Sequence, residues 1–258
     1  MTTTTATFGP SARTETGLRQ LSGRALLVQH LVPGALMTVA FVAFAPLAEA
    51  VGFPPIAALL AAIALVLVPV ELGIMAWASR REGAGFGGLI AYRRPLPLRR
   101  AAWLVPALIL LAFIGFGLHQ AIEPALIQSW FAWLPDWYVS PIQVDRIGDH
   151  SATAWALTLA AYLVLNGLIG PIIEELYFRG YLLPRMDRLG RWAPLVNVTL
   201  FSLYHFWSPW QVMARVLAIG PTVYAVRWTH NVYLGMVVHC TLNTIGVLLV
   251  AGLIVGRL

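Results

Sequence analysis

The chain has 258 residues, of which 59% are hydrophobic and only 11% are charged, and its formal net charge is +6. A soluble domain has about 25% charged residues, so this composition excludes an ordinary globular protein and indicates an integral, multi-pass membrane protein. The positive residues are all Arg and cluster beside apolar segments, where membrane topology explains them. The charge therefore does not indicate nucleic-acid binding, and membrane lipids are the expected surroundings.

The N-terminal segment is polar and rich in Thr, which predicts a disordered cytoplasmic tail over residues 1–24. Residues 25–258 show no repeat, linker or second soluble region, so we expect one transmembrane domain. A span needs about 20 mostly apolar residues. On this criterion the fold is an all-α bundle of about seven spans, with six or eight as the alternatives. The predicted spans are 26–48, 56–78, 102–122, 155–182, 192–208, 212–229 and 231–254.

The positions of the Arg residues predict how the bundle is oriented. Arg-containing segments fall on one side if the spans alternate: 13–24, 80–100, 185–191 and Arg227. The opposite loops are acidic, with Arg146 as the exception. Because positive loops stay in the cytoplasm, we expect a cytoplasmic N-terminus, and an external C-terminus if the count is seven. The composition, rich in Arg, Ala and Leu, favours a bacterial plasma membrane.

Residues 124–140 are rich in Trp, Phe and Tyr and fall on the predicted non-cytoplasmic side. Aromatic side chains of this kind concentrate at the boundary between membrane and water. The pattern therefore predicts an interfacial helix. A gating element over a cavity is the alternative.

Ionisable groups interrupt the apolar segments at three places in the last four predicted spans. Such groups are rare within a membrane and usually serve a function. The residues, with their polar or aromatic neighbours one turn away, are Glu174, Glu175 and Arg179; Phe201 and His205; and His239 and Asn243.

Helical spacing predicts different environments for the two adjacent acids. Glu175 and Arg179 are four residues apart, so they share a helix face and are expected to pair. Glu174 is rotated by about 100° from Glu175, so we expect it to face a cavity instead. At about 1.5 Å per residue, Glu174, His205 and His239 lie about 14–21 Å from the cytoplasmic flank. One shared site is therefore geometrically possible.

Three motifs resemble those of the CPBP family, also called the Abi family. They are E-E-x-x-x-R at 174–179, F-x-x-x-H at 201–205 and H-x-x-x-N at 239–243. This family comprises intramembrane proteases related to the type II CAAX prenyl endopeptidase, and the resemblance covers a catalytic core of about residues 155–250. It implies an endopeptidase that hydrolyses a peptide bond of a membrane-associated or CAAX-like substrate, either a peptide or a lipidated protein.

The resemblance also implies a role for each motif residue. Glu174 and His205 would activate water, while His239 and Asn243 would stabilise the oxyanion. A positioned carboxylate is a suitable general base, and imidazole and amide N–H groups are suitable oxyanion donors. The other motif residues would support the site: Glu175, Arg179 and Phe201.

A cofactor is not favoured by the motifs. They lack the His-Glu-x-x-His spacing that places two zinc ligands on one helix. The alternative is a zinc ion held by Glu174, His205 and His239, since catalytic zinc sites use three such ligands.

A non-proteolytic membrane protein is the alternative function. It would be an ion or metal carrier, or a bacteriocin-immunity factor, that uses the same Glu and His cluster for binding. Transporters generally contain broken helices in two repeated halves. Here the polar residues concentrate in the last four spans, which favours the peptidase.

Other polar residues within apolar segments are expected to be structural. Glu71 and Arg215 are isolated charges that should pair with a neighbour or extend towards the membrane surface. His30 and His119 lie near the ends of apolar segments. Cys240 points away from His239 and is expected to fill space in the packing.

Overall fold

The computed structural model describes residues 18–257, and over this range it is helical without a β-strand. The long helices are α1 (Gly23–Ala50), α2 (Pro55–Glu82), α3 (Leu98–Gln120), α4 (152–182), α5 (Ala193–Tyr204), α6 (Val212–Thr229) and α7 (Val232–Val255). The short helical segments are Phe86–Leu89, Glu123–Trp130, Asp136–Val139, Val144–Asp149, Leu183–Trp192 and Pro209–Gln211.

Loops at one end of the bundle, together with the helix ends that adjoin them, contain most of the described Arg residues, and these loops contact one another. Arg185 Nη2 lies 2.8 Å from Glu82 Oε2. The backbone N–H of Arg94 donates to His230 O over 2.9 Å. We call this end the Arg-rich face, which comprises 18–22, 83–97, 183–192 and 230–231.

Loops at the other end contact one another in the same way. Arg146 Nη1 lies 3.4 Å from Glu49 Oε1, and Gln211 Nε2 donates to Glu123 Oε1 over 3.1 Å. We call this end the opposite face, which comprises 51–54, 121–151, 205–211 and 256–257. Consecutive long helices connect alternately at the two faces, so the described chain crosses between them seven times.

Five helices in the described part of the chain are long and apolar enough to span a membrane: α1, α2, α3, Ala152–Tyr204 and α7. The 53-residue helix Ala152–Tyr204 contains both α4 and α5. The two parts are separated near Gly190, whose φ of 53° is not helical. With α6, they account for the seven passes. The predicted all-α, polytopic bundle is confirmed, and the protein is an integral, multi-pass membrane protein.

The end of the predicted disordered tail lies against the Arg-rich face. Gln20 Nε2 donates to Pro184 O over 3.2 Å, and Leu21 N donates to Arg185 O over 3.1 Å. The Ser22 side chain caps α1. The tail predicted for residues 1–24 thus differs from the structure over 18–24, while residues 1–17 lie outside the described range.

The aromatic segment forms two short helices instead of the single interfacial helix predicted over 124–140. Glu123–Trp130 ends before Pro135, which has no N–H to continue a helix and immediately precedes Asp136–Val139. The Trp130 and Trp133 side chains are exposed, whereas Tyr138 is buried. The segment therefore has an outer surface and an inner surface that packs on the bundle.

Two glycines allow helices to approach closely. A Cβ at Gly34 of α1 would lie 2.8 Å from the carbonyl carbon of Tyr204 in α5. A Cβ at Gly115 of α3 would lie 2.7 Å from the backbone nitrogen of Ala218 in α6. Small residues at helix contacts are typical of membrane proteins, where packing holds the helices together.

Gly115→Ala is expected to lower the stability of the bundle by about 1–3 kcal/mol, because the new methyl group forces α3 and α6 apart. Thermal unfolding of the purified protein in detergent measures the effect. Gly117→Ala is the matched control, since a Cβ there meets no atom within 4 Å. An equal loss of stability in both variants would contradict the close packing.

Candidate active site

A cavity of about 360 Å³ leads from the opposite face into the bundle. Its outer walls come from loops of that face, including Tyr138, Pro141 and Trp207. Its inner end reaches α4, α5 and α7. The four residues predicted to be catalytic all line it: Glu174, His205, His239 and Asn243.

Glu174 lies in α4 where the helix geometry is irregular. Regular α-helical turns over Gly170–Glu174 are flanked by π-helical turns over Tyr162–Ile169 and Glu175–Leu182. Pro171 has no N–H for the helical ladder, and wider turns of this type often occur at functional sites. The carboxyl group faces the cavity, and its Oε1 accepts a hydrogen bond of 2.6 Å from Tyr204 Oη.

Glu175 points away from the cavity into a buried charged cluster. Its Oε1 lies 3.3 Å from Arg179 Nη1 and 3.1 Å from His239 Nδ1. Arg179 is fully buried, with its guanidinium carbon 4.0 Å from the centre of the Phe201 ring. The Phe201 face is thus an additional cation–π partner for this arginine. The adjacent acids therefore have different surroundings.

His205 is the first residue after the end of α5. Its Nδ1 is 2.7 Å from Phe201 O, and a carbonyl can only accept, so Nδ1 carries the proton. In the neutral ring Nε2 is then an acceptor. The ring packs between Tyr204 and Trp207, with centroid distances of 4.6 Å to each. These contacts fix the orientation of the imidazole in the cavity wall.

His239 and Asn243 lie one turn apart on α7. His239 Nε2 is 3.8 Å from Glu174 Oε2, while its Nδ1 faces Glu175. Asn243 Nδ2 donates to the backbone carbonyl of Asn166 over 2.9 Å. This bond uses one of the two amide hydrogens. The second remains for a group inside the cavity.

The three candidate zinc ligands, Glu174, His205 and His239, are not gathered into one close group. Among residues 18–257, no group of three or more His, Cys, Asp or Glu residues is arranged to hold a metal ion. We therefore derive no step through a metal.

Three residues near the site were not among the predicted site residues. Tyr204 is fully buried and donates to Glu174. Glu71 of α2 is fully buried, and neither of its carboxyl oxygens has a hydrogen-bond partner among residues 18–257. The expectation that it pairs with a neighbour or extends towards the membrane surface is therefore wrong. Arg215 lines the cavity. Glu71 and Arg215 could have been suspected as charges within apolar spans, but Tyr204 carries no such signal.

Tyr204→Phe is expected to lower kcat about tenfold with little change in KM, because a hydrogen bond to a charged group contributes about 1.5–3 kcal/mol. Cleavage assays over a range of substrate concentrations separate the two constants. Tyr181→Phe is the control: its hydroxyl donates to Gln29 Oε1 over 2.9 Å, outside the cavity. Loss of kcat in both variants would show a general structural effect.

Comparison with known families agrees with the motifs. Residues 155–245 match the family described as Rce1-like, type II CAAX prenyl endopeptidase Rce1-like. The matched segment contains the three motifs and excludes α1 to α3. The match confirms the predicted family resemblance and supports a protease. No curated protein and no solved structure matches the chain significantly.

Proposed function

We propose that the protein is an intramembrane endopeptidase that hydrolyses a peptide bond of a membrane-associated or CAAX-like substrate. The observation that carries the proposal is the convergence of Glu174, His205, His239 and Asn243 on one cavity. This cavity admits the substrate and water to a depth where lipid would otherwise exclude water.

Glu174 and His205 activate the water molecule. The water donates a proton to Glu174 while its oxygen attacks the substrate carbonyl carbon. His205 Nε2 accepts a hydrogen bond from the same water, as its tautomer permits. Glu174 then transfers the proton to the leaving amine as the carbon–nitrogen bond breaks. Tyr204 holds the Glu174 carboxylate in place throughout.

Asn243 and His239 stabilise the oxyanion that forms in the transition state. Asn243 donates its second amide hydrogen, and its bond to Asn166 O fixes the side chain. His239 Nε2 lies 3.8 Å from Glu174 Oε2, so the imidazole reaches the same part of the cavity, where its N–H is a suitable donor to the oxyanion. Preorganised donors of this kind are often the largest contribution to catalysis.

The test is cleavage of prenylated and unmodified peptides by the purified protein in detergent, followed by mass spectrometry. His205→Ala is expected to lower kcat by about 10²–10⁴-fold, the usual contribution of general acid–base groups. His150→Ala is the control, because its ring bonds to Gly52 O outside the cavity. Lack of cleavage by the folded wild type, or equal cleavage by His205→Ala, would overturn the proposal.

Catalysis in this proposal is glutamate-dependent and requires no metal. The wild type should remain active after treatment with a strong zinc chelator, when the chelator has been removed by desalting. Loss of activity that added zinc restores would overturn this part of the proposal.

The proposed setting is a bacterial plasma membrane with a cytoplasmic N-terminus. Support comes from the Arg-rich face, since Arg concentrates on the cytoplasmic side. In this orientation the cavity leads from the non-cytoplasmic side towards Glu174.

A further inference from the structure

Arg215 is a cation in the wall of the catalytic cavity, in the first turn of α6. Its guanidinium donates to Ser208 O over 3.2 Å, to Ser208 Oγ and to Gln211 Oε1 over 3.0 Å. These three bonds fix the plane of the group. An arginine has five N–H donors, so two are left for another partner.

The charge of Arg215 is not neutralised by a direct ion pair within residues 18–257. All three of its bonding partners are neutral oxygen atoms. A charged group within the membrane region usually has a partner or a function. The structure therefore leaves a fixed, positively charged donor group in a cavity that admits substrate.

The nearest candidates for a counter-charge both have other partners. Glu123 also lines the cavity, but its Oε1 accepts from Gln211, which lies between the two charges. Glu174 lines the same cavity, yet its carboxyl group accepts a hydrogen bond from Tyr204. Pairing within the protein therefore does not account for the position of Arg215.

We infer that Arg215, oriented by Ser208 and Gln211, binds a carboxylate of the substrate beside the scissile bond. The two N–H groups left are one on Nη1 and one on Nε, because Nη2 uses both of its hydrogens. A carboxylate oxygen that accepts from one of them forms a charge-assisted hydrogen bond, which is among the strong ones. The carboxylate is either the α-carboxylate of a peptide C-terminus or an acidic side chain. This inference rests on the proposed function, because Glu174 must define where the scissile bond lies.

The test uses two pairs of peptides that differ only in charge. The first pair ends in an α-carboxylate or an α-carboxamide. The second pair is amidated and has Glu or Gln close to the scissile bond. We expect the wild type to prefer the charged member of one pair by about tenfold to a hundredfold in kcat/KM. This is the effect that a hydrogen bond to a charged group usually has. The pair that shows the preference identifies the source of the carboxylate.

Arg215→Gln is expected to bring the ratio of kcat/KM between the charged and the neutral peptide close to one. Arg215→Lys is expected to keep part of the preference for the charged peptide. A ratio between two peptides within one preparation is independent of the amount of folded enzyme. Arg146→Gln, an exposed arginine on the same face, is the control and should keep the wild-type ratio. Equal ratios in wild type and Arg215→Gln, or a wild-type ratio of one for both pairs, would overturn the inference.

The affinity of the full-length protein for the same peptides gives the preference for the charged peptide without turnover. If the protein does not cleave but still binds charged peptides through Arg215, the proposed function fails and the carboxylate site remains. If it cleaves through Glu174 without a charge preference, only the inference about Arg215 fails.

Discussion

Replacement of Glu174 by Gln should reduce the cleavage rate by about 10³-fold, because the amide cannot take the proton from water. Gln has the same shape and can still accept the hydrogen bond from Tyr204, so the fold should be maintained. Single-turnover cleavage with excess enzyme measures the chemical step directly.

The matched control for this variant is Glu49→Gln. Glu49 is an exposed acid in the last turn of α1, where it pairs with Arg146 outside the cavity. Cleavage by Glu49→Gln should equal that of the wild type. If Glu174→Gln cleaved as fast as this control, Glu174 could not be the base.

Arg179→Met should destabilise the protein by about 3–5 kcal/mol, the typical effect of removing one partner of a buried ion pair. The Glu175 carboxylate would remain buried without its guanidinium partner, and the contact with the Phe201 ring would be lost. Thermal unfolding in detergent measures the change.

A double variant separates loss of the charge pair from loss of packing. Arg179→Met with Glu175→Gln removes both charges, so part of the stability should return. Arg146→Met removes an exposed arginine and should have little effect. If the double variant were less stable than Arg179→Met alone, the uncompensated charge would not explain the destabilisation.

The contacts that follow from spacing along one helix could be predicted from the sequence. Glu175 and Arg179 are four residues apart and do lie together, and the seven passes follow from the apolar segments. Cross-helix contacts could not be predicted in this way. Tyr204 and Glu174 are 30 residues apart, and their bond depends on how α4 and α5 pack.

Local irregularity limited the prediction of the remaining elements. The aromatic segment is divided before Pro135, which a count of aromatic residues does not reveal. The fifth predicted span was extended to residue 208, but α5 ends at Tyr204 and leaves His205 outside the helix. Because the helix ends there, His205 lies in the cavity wall. The wrong boundary of this span therefore affects the description of the candidate active site.

The contact between Gly34 and Tyr204 has an evolutionary consequence. Gly34 lies outside the segment that matches the family, whereas Tyr204 lies inside it and bonds to Glu174. Sequence drift in α1 is therefore constrained by the catalytic half of the chain, although α1 contributes no motif. A larger residue at position 34 would displace Tyr204 and, through it, the hydrogen bond to Glu174.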